Sequence, residues 1–127
     1  MAELDMTELK LFRYLDIAKP VCLTIPRPKK HVSLIIRKNK VVALGTNNFR
    51  THPQAKQYGY LFDEVHSELD ALLRYRGPKD TLCLVNFRFN RFGDMRMSKP
   101  CHRCMPWCQA VFDTIWYSTN HGMMCLK

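Results

Sequence analysis

Between Asp63 and Phe89 the sequence reads DEVHSELDALLRYRGPKDTLCLVNFRF. In its first half Val65, Leu69, Leu72 and Leu73 fall at i, i+4, i+7 and i+8, which predicts a helix over 63–76 with one apolar side. Gly77-Pro78 stops it, and the β-rich run Leu82–Phe89 predicts a strand. Working outward, 31–36 and 40–44 are two short β-rich runs joined by Arg37-Lys38-Asn39, a hairpin. Before them, Met6, Leu9, Phe12, Leu15 and Ile17 give helical spacing over 5–18, with Asp5 or Thr7 as cap and Pro20 as the stop. Pro26 and Pro28 stiffen the loop that follows, and Gly45–Gly59 reads as an irregular loop. Downstream, Gly93 marks a turn, and Pro100 precedes a helix to about Asp113. Ile115–Ser118 is a fourth strand, and Asn120-His121-Gly122 turns the chain into a fifth over Met123–Leu126. So short a connection closes a hairpin but not a crossover, so the fifth strand should run antiparallel to the fourth. The order predicts an α/β three-layer sandwich, a five-stranded mixed sheet with helices on both faces, formed by one domain over 1–127.

Composition bounds what such a domain can do. With 127 residues, 46% of them hydrophobic, the chain can bury a core without disulfide staples. No run approaches the ~20 apolar residues of a membrane span, so no membrane role is expected. The first ten residues carry Glu3, Asp5 and Glu8 and lack an apolar signal core, which makes the cytoplasm the expected compartment. In a reducing compartment the six cysteines are metal ligands or buried thiols, and Cys101, Cys104 and Cys108 are bunched as ligands would be. A net charge of +9 favours polyanionic partners; it is equally compatible with a small phosphorylated substrate, or with a basic surface that binds nothing.

Two fragments carry chemistry. His66-Ser67-Glu68 lies on the second helix, and Pro100-Cys101-His102-Arg103-Cys104 opens the third. One imidazole and two thiolates suit a zinc ion and leave one tetrahedral position for water, which separates a catalytic site from a closed structural one. A C-x-x-C at a helix N-terminus also places its sulfurs where backbone N–H groups and the helix dipole favour the ionised thiolate. Glu68, two residues past His66, points away from it on an ideal helix; it is therefore read as the proton shuttle, not as a ligand. The alternatives are a structural zinc closed by Cys108 or His102, and a redox C-x-x-C, which the absence of a thioredoxin-like preceding strand disfavours.

H-x-E followed by P-C-x-x-C is the signature of the zinc deaminases that act on nucleobases. In order, LGTNN (44–48), VHSELDALL (65–73), SKPCHRC (98–104) and IWYSTN (115–120) make residues 31–118 similar to the cytidine and deoxycytidylate deaminase superfamily, especially its short phage-type members. The resemblance implies a cytidine deaminase-like fold, one Zn2+ per chain on His66, Cys101 and Cys104, and hydrolytic deamination of a cytosine-type base in a nucleoside or nucleotide. The attack would be that of zinc-activated hydroxide at C4, with Glu68 moving the protons. It also implies substrate contacts from Asn47, with Asn48 an equal candidate, and from the Lys99-Pro100 approach to Cys101. Lys99 is a departure, since relatives often carry a small or acidic residue there. Pro106 is another, and it predicts a third helix that starts late or bends.

Other features divide between plain and sharp readings. Phe87, Phe89 and Phe92 interleave with Arg88, Arg91 and Arg96, either as ordinary strand alternation or as a stacking and phosphate-binding flap for a single strand. From Arg27 to Lys40 there is no acidic residue, which is either a solvated hairpin or a phosphate-binding face. Cys22, Cys83 and Cys125 read as buried thiols and Cys108 as packing beneath the site. His52 reads as an exposed loop residue near the pocket. Trp107 and Trp116 fill core or a subunit interface, in line with an expected homo-oligomer. Three functions therefore stand. A deaminase of free nucleosides or nucleotides is preferred for the short C-terminal hairpin, by resemblance to relatives of that kind. A deaminase of cytosine or adenine in single-stranded DNA or RNA, including tRNA, is favoured by the charge. A non-catalytic zinc-stabilised nucleic-acid-binding module would leave Glu68 without a task.

Overall fold

A computed structural model of the chain describes residues 8–26, 30–47, 66–101 and 104–126. Helix α1 spans Glu8–Leu23, and strands β1 (Lys30–Arg37) and β2 (Lys40–Thr46) follow. Helix α2 is Ser67–Arg74, β3 is Leu82–Phe89, and β4 is the short Met95–Arg96. Helix α3 is Met105–Val111, and β5 (Thr114–Thr119) and β6 (Gly122–Cys125) close the chain.

The strands make one mixed sheet in the order β2-β1-β3-β5-β6. β1 runs antiparallel to β2 and β3, β3 parallel to β5, and β5 antiparallel to β6, as connection length requires. β1 occupies one edge of β3 along its whole length. The other edge is shared: β5 pairs with Cys83–Asn86, and β4 pairs with Arg88 and Phe89. That sixth strand was not expected from sequence, since two residues carry no periodicity.

Alternation along β1 and β3 sorts the core into two layers. Val32, Leu34, Ile36, Cys83, Val85, Phe87 and Phe89 face α1, which contributes Tyr14, Ala18 and Cys22. Ile35, Leu82, Leu84 and Ile115 face α2 and α3, which bring Leu69, Leu72, Cys104 and Cys108. Helices thus cover both faces. Phe87 and Phe89 are core, so the plain reading of the aromatic–arginine alternation holds for these two, and no stacking flap can use them.

Several expectations need correction. Helix α1 continues through Pro20 for another turn. An interior proline costs about 3 kcal/mol, which the burial of Cys22 and Ile25 and the bond from Cys22 Sγ to Lys30 O (2.9 Å) offset. Its buried stripe is Tyr14-Ala18-Cys22 at i, i+4, i+8, so Phe12 and Ile17 are exposed instead. Helix α2 is shorter than 63–76 at both ends, and α3 starts only at Met105, with Pro106 in its first turn. Proline is tolerated there because that N–H has no intrahelical acceptor. Cys125 is exposed, at the edge strand, while Cys22 and Cys83 are buried as expected; all six cysteines are free thiols. Asn48, His52, the first helical cap and most of the 45–59 loop lie outside the described residues. None of the helices formed by the described residues is long and apolar enough to cross a membrane.

Candidate metal and proton-transfer site

The site begins with how α2 is seated. A Cβ on Gly45 would lie 2.8 Å from Ala71 Cα and closer still to Ala71 N and Ser67 O, so β2 carries the helix backbone directly on a residue without a side chain. Asp70 adds a polar anchor, its Oδ2 accepting from Thr46 N at 2.9 Å while Arg74 pairs with it from one turn on. Glu68 and Asp70 both stand in the first turn, where the helix dipole favours negative charge.

His66 is the N-cap residue, extended at φ −71 and ψ 154, and its carbonyl accepts from Asp70 N at 2.9 Å. This resolves a difficulty of the sequence. Two residues of a regular helix diverge by roughly 200°, yet an extended His66 is released from that progression and can serve the same site as Glu68. The opposite wall comes from 98–101 and Cys104. Ser98 N donates to Ser118 O at 2.9 Å, and Ser118 N donates to Ser98 Oγ at 2.7 Å, which pins the segment to β5 just before Pro100. Cys101 O then accepts from Met105 N at 2.8 Å, and Cys104 caps α3.

These two walls bring the predicted ligands together. Cys101 Sγ lies 3.6 Å and Cys104 Sγ 3.3 Å from His66 Nδ1, and the two sulfurs are 3.5 Å apart. Tetrahedral zinc with its usual bond lengths would set these edges at about 3.6 Å for N–S and about 3.8 Å for S–S. The triangle therefore fits a metal ion of that size. A disulfide sulfur pair lies at about 2.05 Å, so this is no disulfide. Among the described residues this is the one such group of three; neither Glu68 nor Cys108 belongs to it. Cys108 is sealed in the core beneath, where burial pushes its thiol far up, helped by the nearby Glu68 and Cys101. His102 lies outside the described residues.

Glu68 is buried and held from below. Asn86 Nδ2 donates to Glu68 Oε2 at 3.1 Å and to Ser98 O at 3.2 Å. Its Oδ1 accepts from Ser33 Oγ at 2.6 Å. That uses the one proton of Ser33, so in the 2.8 Å pair between Ser33 and Ser67 it is Ser67 that donates. The single Ser67 proton has a second acceptor within reach, Glu68 Oε1, at the longer distance of 3.3 Å. Ser67, Ser33, Asn86 and Glu68 thus form one polar relay, in which Asn86 fixes Oε2 and Oε1 has only the longer contact from Ser67.

Of the other expected site residues, Asn47 closes the β1–β2 ladder. Its Oδ1 accepts from His31 N at 2.9 Å, and its N–H donates to His31 O at 3.3 Å. Lys99 is exposed and Pro100 buried, on the strand of chain that delivers Cys101. Sequence reasoning missed Ser33, Asn86, Ser98 and Ser118. The available signal was a polar residue inside each of the apolar strands HVSLII and LCLVNF. Fold and site together define an α/β protein with a His-Cys-Cys group able to hold one metal ion beside a buried carboxylate. Compared with family models, with curated proteins and with solved structures, the chain has no match.

Proposed function

We propose that the chain is a zinc-dependent hydrolytic deaminase of a cytosine-type base in a nucleoside or nucleotide, with a cytidine deaminase-like fold. The observation that carries this reading is the pairing of a three-donor group of tetrahedral dimensions with a separate, oriented carboxylate, Glu68. A structural zinc site needs a fourth protein ligand and no neighbouring acid; Cys108 does not provide that ligand. The mixed sheet covered by helices on both faces agrees with the same reading.

His66, Cys101 and Cys104 would hold the ion, which when bound supplies acidified water as a nucleophile near neutral pH. The remaining work belongs to the chain. Asn86 fixes Oε2 of Glu68, so Oε1 can accept a proton from water and pass it to N3 of the base, then carry a second to the exocyclic nitrogen. The C4–O bond forms, the C4–N bond breaks, and ammonia leaves. Burial of Glu68 limits bulk water at the carboxylate.

The alternative substrate, a base in a single strand of DNA or RNA, is favoured by the net charge of +9. Ammonia release by the zinc-loaded protein from cytidine, deoxycytidylate, adenosine and short single strands tests the proposal. Release from a cytosine compound, lost in Glu68→Gln, is expected. No release from any of them by a protein carrying its full complement of zinc would overturn it.

A further inference from the structure

We infer that Arg88 and Arg96 form a subsite for a phosphate group of the substrate; this rests on the deaminase reading for its substrate and on the sheet for its place. Asn86, which orients Glu68, is paired across β1 with Ser33, and the next residues outward on the same face of β3 and β1 are Arg88 and His31. On the other edge of β3, Arg88 is paired directly with Arg96 of β4. Met95 and Phe89, their neighbours, pack on the opposite layer, which confirms that both arginines are on the α2 side. A row His31–Arg88–Arg96 therefore lies about 7 Å, one pleat repeat, beyond the row that holds Glu68.

Two like charges facing each other across a strand pair are unfavourable unless something anionic lies between them. The protein does little to relieve this pair. Among the described residues, Arg88 Nε is buried and has no hydrogen-bond partner, and its NH1 reaches only Met97 O, at 3.4 Å. Arg96 has a 3.8 Å contact to the exposed Asp94 and a 3.1 Å bond to Met95 O. A buried guanidinium N–H without an acceptor is the exception in folded proteins and needs a reason. A phosphate provides one, since it accepts from planar guanidinium forks at two points and neutralises both charges. The contact to Met97 O also sets Arg88 beside the carbonyl that precedes Ser98, whose own carbonyl holds Asn86. Phosphate recognition and orientation of Glu68 thus share one short piece of chain. The phosphate would be the 5′-monoester of a mononucleotide or a backbone diester of a strand, and the chemistry of recognition is the same.

The test uses the zinc-loaded full chain. Inorganic phosphate is titrated while the arginine Nε–H resonances are followed by NMR. Binding of deoxyuridine, deoxyuridine 5′-monophosphate and a short oligodeoxyuridine, products that cannot turn over, is then compared in wild type, Arg88→Gln and Arg96→Gln. Phosphate is expected to shift the Arg88 signal. A phosphate-bearing product should bind roughly 10-fold or more tightly than deoxyuridine, as for loss of a charge-assisted bond, and either substitution should erase most of that ratio. An advantage for the monophosphate assigns the monoester; an advantage for the strand alone assigns the diester. Phosphate leaving both arginines unmoved, or nucleoside and phosphorylated forms binding alike, overturns the subsite while leaving deamination standing. Phosphate binding at Arg88 with no affinity for any pyrimidine compound supports the subsite and removes the deaminase reading instead.

Discussion

Asn86 gives both of its amide protons away, one to Oε2 of Glu68 at 3.1 Å and the other to Ser98 O at 3.2 Å. One side chain in the middle of β3 therefore ties the carboxylate on α2 to the segment that delivers Cys101. Asn86→Ala should leave buried groups on Ser33, Glu68 and Ser98 short of partners, each lost bond costing about 1–3 kcal/mol. Bound metal should be retained, and kcat should fall with little change in KM. Thermal unfolding, metal content and steady-state kinetics on one preparation check this.

Metal content should be one ion per chain, falling sharply in Cys101→Ala and Cys104→Ala. Full retention in both variants would contradict the ligand assignment built on the 3.3–3.6 Å triangle.

On the proposed function, Glu68→Gln should fold, keep its metal and lose about 10²–10⁴-fold or more of its turnover, because the residue would move protons and lies outside the His-Cys-Cys group. A variant that sheds metal would place Glu68 among the ligands.

Gly45→Ala should damage the site from a distance. The new methyl meets the α2 backbone at Ser67 and Ala71, which cannot retreat without tilting the helix. Overpacking of this kind costs about 1–3 kcal/mol, and since α2 starts at the His66 cap, metal affinity should drop along with the melting temperature.

Alkaline pH should destabilise the fold. Burial raises the thiols of Cys22 and Cys83 from the ordinary 9.0 to about 12. Between those values the unfolded chain releases protons that the folded chain keeps, so stability falls as pH rises, by up to roughly 1.4 kcal/mol per unit for each thiol. Denaturant midpoints from pH 8 to 11 read this out, and replacing either cysteine by alanine should flatten the slope. Native alkylation at pH 8 should label the exposed Cys125 and spare Cys22, Cys83 and Cys108.

The main strands and the antiparallel final hairpin were legible because β-branched and aromatic runs and connection length leave strong marks; the run Leu82–Phe89 matches β3 residue for residue. The His66-Cys101-Cys104 group was legible because H-x-E and P-C-x-x-C match a known signature. What sequence could not show was geometry created by several segments at once. His66 leaves helical progression because it caps α2, and nothing in HSELD announces that. The polar relay through Ser33 and Asn86 is assembled from strands and a helix far apart in the chain. Helix α1 was misjudged because a Tyr-Ala-Cys stripe has less apolar bulk than the Phe12 and Ile17 it leaves outside.

The shared edge of β3 has a consequence for variation. The excursion from Asn90 to Asp94 is a self-contained loop: Asn90 Oδ1 accepts from Phe92 N and Asp94 N, each at 2.9 Å, and Gly93 turns with φ +85. Its feet are clamped separately, by the β3–β4 pairing on one side and by the two hydrogen-bonded serines, 98 and 118, on the other. The tip, with Arg91 and Phe92 in solvent, is thereby anchored separately from Cys101 and Cys104 of the candidate metal group downstream. It can be lengthened, exchanged or labelled as an independent cassette while the His-Cys-Cys group stays in register.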